Sequence, residues 1–155
     1  MRRAAVGAVA TVHEGAVSRQ ALGTIVVETN GPGLVEVTGE VSGWVEKTGV
    51  RHGLLTLHCR HTSASLTLQE NADPDVRADL LAALDRLAPR GAGYVHAAEG
   101  PDDMPAHIRA MLTGATLAIP VVHGRLALGT WQGAFLVEHR DRPHRREIVL
   151  HLAGA

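Results

Sequence analysis

An α+β domain is the fold class this sequence predicts: a compact, mostly antiparallel sheet, arranged as a sandwich or a barrel, carrying two or three helices. Three observations lead there. Runs such as GLLTLHC and SASLTLQ alternate apolar and polar residues with the period of a half-buried strand. Segments placed among them have helical spacing and helix-capping residues. The last third of the chain is strand after strand, separated by short turns, which argues antiparallel pairing of neighbours. A length of 155 residues suits one domain able to bury a core without disulfides. The division expected is an extension over residues 1–20 and a single domain over residues 21–155.

From Ala21 the β-branched run ALGTIVVET reads as a strand, the Asn30-Gly31-Pro32-Gly33 sequence as a turn, and LVEVT as a second strand. Thr38 can cap a helix reaching about Thr48, with Val41, Trp44 and Val45 on one face and Gly49 past its end. Leu55, Leu57 and Cys59 then alternate with Thr56, His58 and Arg60. A second alternating run from Thr62 to Gln69 closes on Asp73-Pro74, an N-cap followed by proline at the first helical position. Val76, Leu80, Ala83, Leu84 and Leu87 share one face of that helix, and Pro89 stops it. A shorter helix begins near Asp103, with Pro105 in its first turn and Gly114 past its end. ATLAIPVV, RLALGT, WQGAFLVEHR and REIVLHL complete the strands.

Composition excludes several functions. The formal charge is −1, with two Trp, one Tyr and one Phe, so neither a basic stripe nor a stacking platform for nucleic acid is present. No run approaches the roughly 20 apolar residues that cross a bilayer. The single cysteine, Cys59, is expected as a small buried hydrophobe, and a cytoplasmic location is the expectation. The phosphate-binding glycine loop and the G-x-S-x-G elbow are both missing, which argues against nucleotide binding and serine hydrolysis.

Chemistry concentrates in YVHAAEGPDDMPAHIR, where His96 and His107 bracket Glu99, Asp102 and Asp103. Imidazole and carboxylate together bind divalent metal or move protons. His96 and His107, alone or with His61, could share an ion such as Zn²⁺ or Mg²⁺, with a carboxylate such as Glu138 completing the shell. One of Asp102 and Asp103 is expected to cap the helix, leaving the other as a ligand. His61 extends the inward face of its strand and is a candidate proton carrier beside Ser63, whose hydroxyl suits phosphate. Further on, Arg125 can fork onto phosphate, and Trp131 with Gln132 offers a ring and an amide to a heterocycle. His13, His52, His58, His123, His144 and His151 read as surface or rim groups.

Three motifs in order, HTSASLTLQENADPDV, YVHAAEGPDDMPAHI and GRLALGTWQGAFLVEHR, resemble the YjbQ family, whose members carry the label secondary thiamine-phosphate synthase. The resemblance covers about Gly23 to Gly154. It implies a homotrimer and a weak ability to join an aminopyrimidine pyrophosphate to a thiazole phosphate. Carried onto this chain, the matching positions are His61, Ser63, Glu70, Asn71, His96, Asp102, Asp103, His107, Arg125, Trp131, Gln132 and Glu138; of these, His61, His107 and Asp103 are expected to be catalytic and Ser63, Asn71, Arg125, Trp131 and Gln132 to bind substrate. A small phosphorylated metabolite is the partner expected. Two further readings use the same cleft: a metal-dependent hydrolase or phosphate-transfer enzyme, and a non-catalytic metabolite-binding module.

Overall fold

The computed structural model describes residues 5–155. Residues 5–18 are exposed and carry no regular structure, and the first four residues of the expected extension lie outside the described ones. Eight strands and three helices follow: β1 (Arg19–Asn30), β2 (Gly33–Glu36), α1 (Thr38–Thr48), β3 (Gly53–Cys59), β4 (Ala64–Glu70), α2 (Pro74–Leu87), α3 (Asp103–Thr113), β5 (Thr116–Val122), β6 (Arg125–Leu126), β7 (Gln132–Glu138) and β8 (Pro143–Gly154). Every strand pair is antiparallel, so the α+β class expected from the alternating runs is the one found.

Pairing of sequence neighbours, however, is mostly wrong. The strand order is β1-β8-β3-β5-β6 in a five-stranded sheet and β2-β7-β4 in a three-stranded one. β1 and β2, expected as a hairpin, lie in different sheets, and β5–β6 is the pair joined by a tight turn. That turn places His123 and Gly124 at φ 53° and 78°, the left-handed pair a two-residue hairpin requires. β8 takes its place between β1 and β3 because Ile148, Leu150 and Leu152 are buried there against Leu55 and Leu57. Long-range burial outweighs the proximity of neighbours along the chain.

The two sheets curl into a half-barrel around one core, which includes Val41, Val45, Leu66, Ile119 and Leu136. The link from α3 to β5 stitches them together: the Leu66 N–H donates to the Gly114 carbonyl and the Cys59 N–H to the Ala115 carbonyl, at 2.9 and 2.8 Å. Cys59 is buried as expected, and burial pushes its thiol pKa up.

The expected N-terminal cap is found in α2 and not in α1. Asp73 caps α2, its carboxylate accepting from the Asp75 N–H at 2.9 Å, and Gly49 ends α1 in the left-handed conformation. Thr38, expected as the α1 cap, is instead the first helical residue. Its hydroxyl accepts from the Ala134 N–H and donates to Glu36, both at 2.9 Å, so it ties the helix to β7 rather than capping it. RLALGT forms strand only at Arg125–Leu126, after which the chain bends away.

Candidate functional site

The end of β7 and the start of α3 meet, and most buried polar groups gather there. Gly100 makes the turn into α3 with φ 108°, and the Asp103 N–H donates to its carbonyl at 3.3 Å. Asp103 and His107 are four residues apart on the helix and so share a face. Asp103 is only 2% exposed, while His96 reaches it from the preceding loop. His96 Nε2 lies 2.8 Å and His107 Nε2 3.2 Å from the same oxygen, Asp103 Oδ2. The two imidazole centroids are 5.8 Å apart.

The His107 tautomer follows from its other contact. Nδ1 is 3.0 Å from the Thr62 carbonyl, which can only accept, so Nδ1 carries a hydrogen, and in the neutral ring Nε2 is the nitrogen with the lone pair. With the ring neutral, two acceptors face each other across 3.2 Å, an arrangement that either a metal ion or a proton on Nε2 relieves. Among the described residues, one group of potential ligands converges: His96, Asp103 and His107, whose ligand atoms all lie within 4.8 Å of one another. Two imidazoles and one carboxylate, half-open to solvent, are a donor set for Zn²⁺ or a similar transition ion more than for Mg²⁺, which prefers oxygen.

His61 and Glu138 do not join this group. Glu138 is fully buried and saturated: it takes two bonds from Arg146 at 2.6 and 2.7 Å, one from Thr29 at 2.7 Å, and the N–H groups of His139 and Arg140. Burial raises its carboxyl, but Arg146 and these other donors outweigh that and hold its pKa down. His61 Nε2 accepts the Glu147 N–H at 2.8 Å, which leaves Nδ1–H as a donor. Burial first, then Arg146, lowers its pKa. Held this way, His61 cannot take a proton at Nε2 without losing that bond.

Neither aspartate caps α3 with its side chain, as one was expected to do. Both instead hold Arg140. Its Nε donates to Asp102 Oδ2 at 2.8 Å, Nη1 to Asp103 Oδ1, and Nη2 to the Glu99 carbonyl at 2.9 Å. Asp102 also accepts the Asp141 N–H at 3.0 Å, and these donors overcome burial to lower its pKa.

The expected substrate-binding residues are dispersed. Ser63 Oγ accepts from Arg146 at 3.1 Å, and Asn71 donates to Glu36 at 3.1 Å. Gln132 accepts the Gly129 N–H at 2.8 Å, Trp131 is 64% exposed, and Arg125 borders a separate cavity with Arg51 and His123. The cavity that includes His96 is another one, of about 420 Å³, walled by Tyr94, Ala97, Pro101 and Met104 with no arginine or lysine.

Sequence reasoning missed Arg140, Arg146 and His139. His139 Nε2 meets Ser65 Oγ at 2.8 Å, deep in the core, and burial pushes its pKa down to about 4. A signal existed: Glu138-His139 continues the buried run AFLV without a break, with Arg140 at its half-buried end, and consecutive polar residues there must each find a partner.

A curled antiparallel sheet with a His/Asp cluster at the entrance to its third helix defines the class. Residues 23–155 match the family model "UPF0047 protein YjbQ-like", and the chain belongs to this family. It is 49% identical to a UPF0047 protein of Synechocystis over 92% of this chain and 98% of that one. It is 42% identical to the UPF0047 protein YjbQ of Escherichia coli O157:H7 over 84% and 96%. A hypothetical protein of Aeropyrum pernix superposes with a TM-score of 0.81 at 32% identity, over 87% of this chain and 99% of that one. A YbjQ-like protein of Sulfolobus solfataricus, described as of unknown function, does so with 0.79 at 25%, over 88% and 100%. Among the described residues, no helix is long and apolar enough to cross a membrane.

Proposed function

We propose that this protein is a metal-dependent small-molecule enzyme of hydrolase or phosphate-transfer type, its divalent ion, best Zn²⁺, held by His96, Asp103 and His107. One observation carries the reading: two imidazoles aim at a single buried carboxylate oxygen at 2.8 and 3.2 Å, one of them with its Nε2 directed inward by the Thr62 contact at Nδ1. The ion supplies Lewis-acid polarisation of a phosphoryl oxygen or of water. The protein's part is orientation. Thr62 holds the His107 ring, Arg140 holds Asp103, and His96 presents the site to the adjoining cavity, whose size suits a small metabolite. Glu99, exposed and 3.8 Å from His96 Nε2, is the carboxylate placed to move a proton.

Thiamine-phosphate synthesis remains the family-derived alternative, a phosphorylated metabolite the shared substrate class. A homotrimer is the proposed assembly, supported by α2: its apolar face has no fully buried residue, and Leu87 on that face and Met111 and Leu112 on α3 are exposed. Metal analysis of protein purified without chelator tests the reading. Near-stoichiometric Zn²⁺, lost in His96→Ala and His107→Ala, is expected, with phosphate released from phosphomonoesters. Thiamine phosphate formed from the two precursors would favour the synthase instead. Ligand-dependent melting shifts without any product would make the cleft a binding module.

A further inference from the structure

We propose that Arg140 is a positioning residue for the metal centre: it occupies one oxygen of Asp103 and so leaves the other as a single, fixed ligand. The inference rests on the metal reading above and adds the device that sets how Asp103 binds.

The guanidinium is planar, and its donors point in fixed directions. Three of them are used at once, on Asp102 Oδ2, Asp103 Oδ1 and the Glu99 carbonyl. Those acceptors belong to the turn that starts α3, while Arg140 itself follows β7. One flat group thus fixes both the turn and the rotation of the Asp103 carboxylate about its χ2 bond. With Oδ1 engaged, Oδ2 is the oxygen presented to His96 and His107. Asp102 keeps the fork aligned from its far side, itself anchored by the Asp141 N–H at 3.0 Å.

A lysine could reach one of these acceptors but could not hold three in a plane. Without the fork, Asp103 is free to offer both oxygens to an ion. An opposing effect exists, because the arginine's charge draws on the carboxylate that the ion needs. If that effect dominated, removing Arg140 would tighten metal binding. The geometry favours orientation, since the oxygen that Arg140 engages is not the one facing the imidazoles.

The experiment is a Zn²⁺ and Co²⁺ titration of the full chain, with affinity and the visible Co²⁺ spectrum as readouts. Arg140→Ala is expected to weaken binding by about 10- to 100-fold, the usual effect of removing a partner that orients a ligand. Its Co²⁺ bands should weaken as Asp103 turns bidentate and the coordination number rises. Arg140→Lys should fail to restore the native spectrum. Should Arg140→Ala not fold, the double variant Asp102→Asn/Arg140→Ala removes the charge imbalance and reads the same quantities. Equal or tighter binding with an unchanged spectrum overturns the positioning role while leaving the metal centre intact. Absence of binding by the unmodified protein overturns both.

Discussion

Two groups of histidines sit in this molecule, and the tighter one is not the candidate site. At one end, His13 stacks on His52 with centroids 4.2 Å apart and planes 8° from parallel, and His123 meets His52 edge-on at 4.8 Å. At the other, His96 and His107 are 5.8 Å apart with planes at 49°. Imidazole lone pairs lie in the ring plane, so stacked rings aim them side by side, whereas tilted rings can aim them at a common point. The neighbours differ as well. Burial, then His13, His123 and Arg51, push the His52 pKa down, and no carboxylate is among the causes. His96 and His107 share a buried aspartate. Of the two groups, only the one that converges on a negative charge offers a candidate ligand set.

Breaking the buried charge pairs should give the largest effects. Glu138→Ala leaves Arg146 buried and unpaired and is expected to cost about 3–5 kcal/mol in denaturant unfolding, while metal binding by the folded protein weakens but is not abolished, because Glu138 touches only the Arg140 backbone. Asp103→Ala should cost about 3 kcal/mol, because Arg140 keeps Asp102, and should also abolish metal binding. The contrast separates a structural carboxylate from the proposed metal ligand.

The histidine buried in the core, His139, gives a pH test. His139 falls from the ordinary 6.5 to about 4 in the folded protein, so the unfolded chain takes up a proton first as the pH drops. Stability contributed by neutral His139 is complete above pH 6.5 and lost on the way down to about 4. The loss is up to about 3 kcal/mol. His139→Gln should reduce this dependence in denaturant titrations at pH 7 and 4.5. Lower in the order, His96→Ala or His107→Ala should weaken Zn²⁺ binding at least about 100-fold by calorimetry, a change of about 2.7 kcal/mol. Smallest of all, His52→Gln and His123→Gln should change that affinity less than about twofold, as distant sites do. A loss as large as that of His96→Ala would erase the distinction between the clusters.

Much of the fold was legible because local patterns carry it. Period-two alternation located β3 and β4, and the Asp73-Pro74 and Gly49 signals bounded helices. Strand order was not legible, since β8 is placed by burial against β3 rather than by any turn. In the site, the segment from Tyr94 to Arg109 stood out by composition, and its two histidines and one of its aspartates do converge. Which carboxylate they meet could not be read. Glu138 is as acidic as Asp103 in sequence, yet five donors consume it. Arg140 escaped notice because its partners lie 37 to 41 residues away.

By itself the sequence determined the class of fold, the helix limits and the presence of imidazoles and carboxylates on one segment, for these depend on residue type and short spacing. The tertiary structure alone decided which of those groups share a space, which lone pairs face inward, and which charges are already spent on arginine. Those outcomes depend on directions between elements distant in the chain, and no local period records them.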